Sequence, residues 1–269
     1  MQIDWSRIAR PQDDGYDTEV ALALRPPPRQ ADPGVPTGRR IFDGAVEVRE
    51  LAGPYAALEG FAAAPPDSPE IDVAEHLVAH WPAVYRQFQE LVRVIYPMRA
   101  ENWPRQTGTV KGSASHAFES HLGTLCATVA DPVGLAQALV HELGHTKLRC
   151  LGVWLESADR LITNDPGERF ESPVRKDEPR PMTAVLHAEY SFTYLTHLDL
   201  VLLEACGEPE LRRHVLALLE RNVPRIAEGF DTVRRHVRVD ADGRRFVDSF
   251  LAWAEATIRS GERRLAAAA

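Results

Sequence analysis

The spacing of apolar residues changes along this chain, and each change marks an element. After PPDSP, the stretch from Glu70 to Arg99 carries apolar residues at helical intervals. Ser68 and Pro69 suit a helix start, since serine caps free amides and proline is harmless at the first helical position. Pro82 is expected to split the stretch into two helices. Upstream, residues 41–51 read as a short strand, whereas residues 25–37, RPPPRQADPGVPT, are proline-dense and read as an exposed connector. These patterns place an N-terminal segment with its linker over residues 1–60 and a main domain over 61–269.

Between Thr107 and Val129 small, hydroxyl-bearing and β-branched residues gather around Gly112 and Gly123, which predicts two short strands and a turn. Helical spacing returns at once. Asp131 can cap and Pro132 can open a helix through GLAQALVHELGHTKLRCLGVWL, in which Leu135, Leu139, Leu143 and Leu148 recur on one side. Residues 160–181 are polar and proline-bearing, a long connection of the kind that often carries function. After Pro181, MTAVLHAEYSFTYLTHLDLVLLEA predicts a strongly buried helix, followed by helices near 208–221, 223–238 and 244–265. The expected fold is mainly helical α+β, a helical metal-binding domain with a short sheet beside the HELGH helix.

Composition narrows the functional classes. A hydrophobic content of 44% over 269 residues suffices for a sizeable core. The net charge of -8 leaves no domain-wide basic field for nucleic acid, and the local pairs Arg212–Arg213, Arg234–Arg235 and Arg244–Arg245 read as solvated helix faces. Cys126, Cys150 and Cys206 form no CxxC pair, so neither a disulfide framework nor a cysteine zinc site is indicated, and a reducing cytoplasm is expected. No stretch reaches membrane-spanning length, and the N-terminus lacks the apolar core of a signal peptide.

The chemistry concentrates in His141-Glu142-Leu143-Gly144-His145. Residues four apart on a helix share a face, so His141 and His145 can each place a nitrogen on one metal ion, with Glu142 beside them as the catalytic candidate. Ordinary helices also carry this pattern by chance, but here its flanks are apolar. TKLRCL follows His145, which excludes the HExxHxxGxxH class. Candidates for a third ligand are Glu168, Glu171, His187, Glu189, His197 and Glu204. His187 is preferred, because it lies in an apolar helix where an imidazole otherwise needs a partner; a core histidine satisfied by a backbone carbonyl is the plainer alternative. Ser113, Ser115 and His116 precede the helix on an expected strand that can pair with an extended peptide.

The succession ALVHELGHTKL, SPVRKDEPRP and AVLHAEYSFTYL resembles the HExxH-motif proteins found beside ribosomal peptide-modification genes, a family of iron- and 2-oxoglutarate-dependent peptide β-hydroxylases. The likeness runs from about Gly112 to Leu203. It implies His141, His145 and His187 as metal ligands, with Arg175 or Arg180 reaching the cosubstrate, Fe(II) and 2-oxoglutarate as cofactor and cosubstrate, and a peptide substrate with a possible leader segment. Val174, where an aromatic is expected, and Ala188, where a glycine is usual, depart from the family pattern. Under this reading Glu142 orients a ligand or a water. Arginine's planar, always charged fork suits the far carboxylate of a 2-oxo acid, although each arginine of RKDEPR taken alone also suits a solvated charge run. Two rival readings share the sequence: a zinc metallopeptidase in which Glu142 is the general base and Glu189 or Glu204 replaces His187, and a non-catalytic peptide-binding module.

Overall fold

The computed structural model describes residues 2–27, 30, 34–52, 61–100, 113–174 and 176–268. It is 55% helical with one small mixed sheet, which makes it α+β. The chain divides into two compact units, residues 26–146 and residues 1–25 with 147–269, a partition different from one drawn at residue 60.

The unit of residues 26–146 holds the sheet. Its strands are β1 (Val35–Ile41), β2 (Val46–Glu50), β3 (Phe61–Ala63), β4 (Val94–Ala100), β5 (Ser115–Ala117) and β6 (Thr124–Thr128), ordered β1-β2-β4-β6-β5, with β3 also pairing β4. The β2–β4 and β4–β6 pairs are parallel and the remaining pairs antiparallel. Helices α3 (Pro69–Ala79) and α4 (Pro82–Leu91) separate β3 from β4. Pro82 opens the second of them, as the sequence predicts.

Two assignments need correction. Helical spacing was expected to continue to Arg99, but α4 ends at Leu91 and Val94–Ala100 is the central strand of the sheet. The run Val94-Ile95-Tyr96-Pro97-Met98 is buried throughout and rich in β-branched and aromatic residues, and Pro97 disfavours a helix interior. The proline-dense connector also ends sooner than expected, since Val35 already belongs to β1. Leu51, Val94, Tyr96, Met98, Phe118 and Cys126 form a buried cluster in this unit, with Phe61 and Ala63 against it. Gly34 lies so close to the Tyr96 ring that a Cβ there would collide with it.

The other unit is helical: α1 (Trp5–Ile8), α2 (Tyr16–Leu24), α6 (Met182–Ala205), α7 (Pro209–His236) and α8 (Ala241–Ala268). Helix α5 (Pro132–Cys150) crosses the boundary between units at residue 146. The sequence predicts two helices near 208–221 and 223–238; a single helix runs through Pro224, with Val215, Leu218, Leu219, Ile226 and Val233 buried along it. Helix α6 is buried on nearly all sides, and Tyr190 and Tyr194 stack among Phe246, Phe250 and Trp253 of α8. The N-terminal helices belong here too. Asp17 on α2 forms a fully buried ion pair with Lys147, whose ammonium also donates to Tyr194 Oη at 3.1 Å. Among the described residues no helix is long and apolar enough to cross a membrane.

Candidate metal centre

Helix α5 starts as its sequence dictates. Asp131 Oδ1 accepts the amide of Gly134 at 2.7 Å, Pro132 fills the first helical position, and Leu135 donates to the Asp131 carbonyl at 2.8 Å. Val133, Leu135, Ala136, Leu139, Val140, Leu143 and Leu148 are buried, so more than one side of the helix is covered by protein. In that setting His141 and His145, one helical turn apart, bring their Nε2 atoms within 3.1 Å of each other, with the rings at 82°.

That separation fits a shared ion. Two nitrogens each bound at about 2.1 Å lie about 3 Å apart at the right angle of an octahedral centre and about 3.4 Å apart at a tetrahedral angle. Two protonated Nε2 atoms facing each other at this distance would repel, so without an ion one ring must present a lone pair to the other's proton. Burial supplies the neutral form: loss of hydration pushes His141 down to about 4, leaving it the unprotonated imidazole that a metal requires. Glu142 completes the group. It is 3% exposed, its Oε1 lies 3.9 Å from His141 Nε2, and the ligand-capable atoms of His141, Glu142 and His145 all fall within 4.8 Å of one another. Ser115 on β5 donates its hydroxyl to Glu142 Oε1 at 2.7 Å, which ties the edge of the sheet to the HELGH helix.

The downstream candidates separate by their surroundings. Glu168 pairs with Arg238 and Glu204 with Arg264, and Glu171 is exposed; all three have the surroundings of surface residues. His197 packs on Trp253, whose indole donates to His197 Nδ1 at 3.3 Å. On α6, His187 and Glu189 are both fully buried. His187 Nε2 lies 2.8 Å from the Val153 carbonyl oxygen, which can only accept, so Nε2 is the donor in this bond. This satisfies the plainer expectation of a backbone-bonded core histidine. Among the described residues, the group able to hold a metal ion comprises His141, Glu142 and His145 and does not include His187. Among the described residues neither oxygen of the Glu189 carboxyl has a hydrogen-bond partner, and burial raises its affinity for a proton well above that of an ordinary glutamate. The Thr193 hydroxyl tempers that rise, although its hydrogen bond goes to the Glu189 main-chain carbonyl at 2.9 Å.

Of the two loop arginines, Arg175 lies outside the described residues. Arg180 exchanges main-chain hydrogen bonds with Phe170, and its guanidinium sits between Glu178 at 2.7 Å and Glu156 at 3.6 Å. Cys126 and Cys150 behave as small buried apolar residues. Burial first, and for Cys126 the Glu142 charge second, push these thiols up to about 12 and about 11, far from the thiolate that a metal binds. Trp81, Trp154 and Trp253 are buried, as core aromatics are expected to be, and Trp103 lies outside the described residues.

The contact that sequence reading missed is the one between Ser115 and Glu142. The sequence marks Ser115 only as part of a strand able to pair with a peptide, and nothing in the spacing of the two residues announces a side-chain bond between them. Compared with known proteins, the chain matches no family model and no curated protein.

Proposed function

We propose that the chain is an Fe(II)- and 2-oxoglutarate-dependent oxygenase that hydroxylates the β-carbon of a side chain in a ribosomally made peptide, and that it is a member of the HExxH peptide-hydroxylase family its sequence resembles. The observation that carries the reading is the pair of imidazole nitrogens 3.1 Å apart on a buried helix, beside a buried carboxylate. His141 and His145 would hold the ion, and the family resemblance assigns His187 as the third ligand in this reading. Such a centre, when loaded, couples oxidative decarboxylation of 2-oxoglutarate to succinate and carbon dioxide with insertion of one oxygen atom into a C–H bond.

The protein's own contribution is to keep His141 unprotonated by burial and to hold Glu142 in one orientation through Ser115. Either Arg175 or Arg180 binds the far carboxylate of the cosubstrate in this scheme; at Arg180 that carboxylate replaces Glu178 or Glu156 on the same fork. A reducing, cytoplasmic setting belongs to the reading, since ferrous iron and buried free cysteines both suit one. One observation favours the zinc-peptidase alternative. Glu189 on α6 is a buried carboxylate whose two oxygens have no hydrogen-bond partner among the described residues, and a cation would offset the cost of burying its charge.

Succinate release from 2-oxoglutarate, measured with Fe(II), ascorbate and oxygen in the wild type, His187→Ala and Glu189→Gln, separates the readings. The oxygenase reading expects turnover in the wild type, retention in Glu189→Gln and loss by at least about 100-fold in His187→Ala. No succinate from the wild type, with zinc-dependent peptide hydrolysis abolished by Glu189→Gln, would overturn it.

A further inference from the structure

Glu142 is anchored from outside its own helix. Ser115, on the edge strand β5, donates its hydroxyl proton to Oε1 at 2.7 Å, within the short range of a charge-assisted bond, and the same oxygen lies 3.9 Å from His141 Nε2. The neighbouring hydroxyls are committed elsewhere. Ser113 turns to the Thr128 carbonyl at 2.9 Å and the Thr128 hydroxyl at 2.8 Å, and Thr146 donates to the main-chain carbonyl of Glu142 at 2.9 Å. The register of β5 against β6, with Ser115 opposite Ala127, His116 opposite Cys126 and Ala117 opposite Leu125, fixes which face of the strand Ser115 uses. A serine with three accessible rotamers on a free loop would not hold a carboxylate in place; a serine in a paired strand does.

We infer that Ser115 is a positioning residue for the metal centre, fixing the orientation of Glu142 so that the carboxylate supports the ion held by His141 and His145. The inference rests on the reading that those two histidines bind a metal ion. Its logic is that of outer-shell support, in which a residue that never touches the ion tunes how tightly the ion is held. It also gives the edge strand a function in the site that does not depend on the substrate.

The test uses Co(II), whose visible ligand-field bands report geometry and whose affinity calorimetry measures, on the full-length chain. The variants are Ser115→Ala and the isosteric pair Ser115→Thr and Ser115→Val. Threonine and valine both suit a strand and differ only in the hydroxyl, so this pair remains decisive if alanine disturbs the fold. Expected results are Co(II) binding 10- to 100-fold weaker, with shifted bands, in the alanine and valine variants, and affinity within about threefold of wild type for threonine. In a Glu142→Ala background, removing the Ser115 hydroxyl should have no further effect, because its only route to the ion is gone. Wild-type affinity and bands in Ser115→Val would overturn the inference even if the melting temperature of the metal-free protein fell, since that pattern marks a merely structural serine. Failure of the wild type itself to bind Co(II) would instead overturn the metal-centre reading on which the inference stands.

Discussion

At the scale of single residues, burial decides chemistry more than residue type does. Ten histidines are present, and since His76 and His80 share the four-residue spacing, His141 and His145 stand out by Glu142 after the first of them and by their apolar flanks. The sequence does not separate a metal ligand from a core histidine at His187, whose ring bonds the Val153 carbonyl, because both roles suit an imidazole in an apolar helix. His197 is a separate case with a testable consequence. Burial first, opposed by the Glu204 charge and aided by Arg10, pushes it down to about 4 from an ordinary value of 6.5. The unfolded chain therefore binds the proton more readily, so the stabilising effect of neutral His197 is complete above about pH 6.5 and is lost as pH falls toward 4. Chemical denaturation of the wild type against His197→Asn should show their stability difference shrinking by as much as about 3 kcal/mol across that window; a pH-independent difference would contradict the assignment.

Gly229 on α7 makes a second residue-scale case. Alanine is normally the better helix former by about 1 kcal/mol. Here a Cβ would run into the Glu189 carboxyl and crowd Pro173, so overpacking by roughly 1–3 kcal/mol outweighs the gain. Gly229→Ala should lower the melting temperature, and a raised one would show that the α6–α7 contact is looser than described.

Elements were legible where one signal ruled and illegible where two competed. Helix α5 announced itself through Asp131, Pro132 and its leucine spacing, and Asp131 does accept the Gly134 amide. Asp131→Ala should therefore remove about 1 kcal/mol of stability, read from a shifted denaturation midpoint; no shift would mean that the free amides find another partner. Strand β4 was lost in a helical reading because apolar spacing continued unbroken from α4 into Val94–Met98, and a fully buried strand has no alternation to betray it. Helix α7 runs unbroken through Pro224, a strong local breaker, because burial along one face of the helix overrides it. The short strands β5 and β6 were visible from their residue types and the glycine between them, whereas the contact from β5 to α5 depends on three-dimensional packing and left no trace in the spacing.

For the molecule as a whole, the partition into units was the least legible feature. The proline-rich stretch suggested that everything before residue 60 stands apart, yet residues 1–25 join 147–269. Trp5, Ile8, Val20 and Ala21 are buried there, and Asp17 neutralises Lys147 with both side chains at 0% exposure. Pairing of distant charges cannot be read from local periodicity. Removing one partner leaves a bare buried charge, so Asp17→Ala should remove about 3–5 kcal/mol. Deletion of residues 2–25 should do at least as much and leave the chain insoluble or molten. A truncated chain that keeps the wild-type melting temperature would show that the N-terminal helices are an ornament on this unit.

The proposed oxygenase chemistry needs a metal ion at His141 and His145 that chelates a 2-oxo acid. Its most direct test is anaerobic titration of the metal-free protein with Fe(II) and then 2-oxoglutarate, followed by visible absorption. A charge-transfer band from the chelated 2-oxo acid is expected in the wild type, absent in His141→Ala and His145→Ala, and bleached when oxygen is admitted. No band in the wild type, with tight retention of zinc instead, would contradict the oxygenase account and leave the two histidines to a hydrolytic centre.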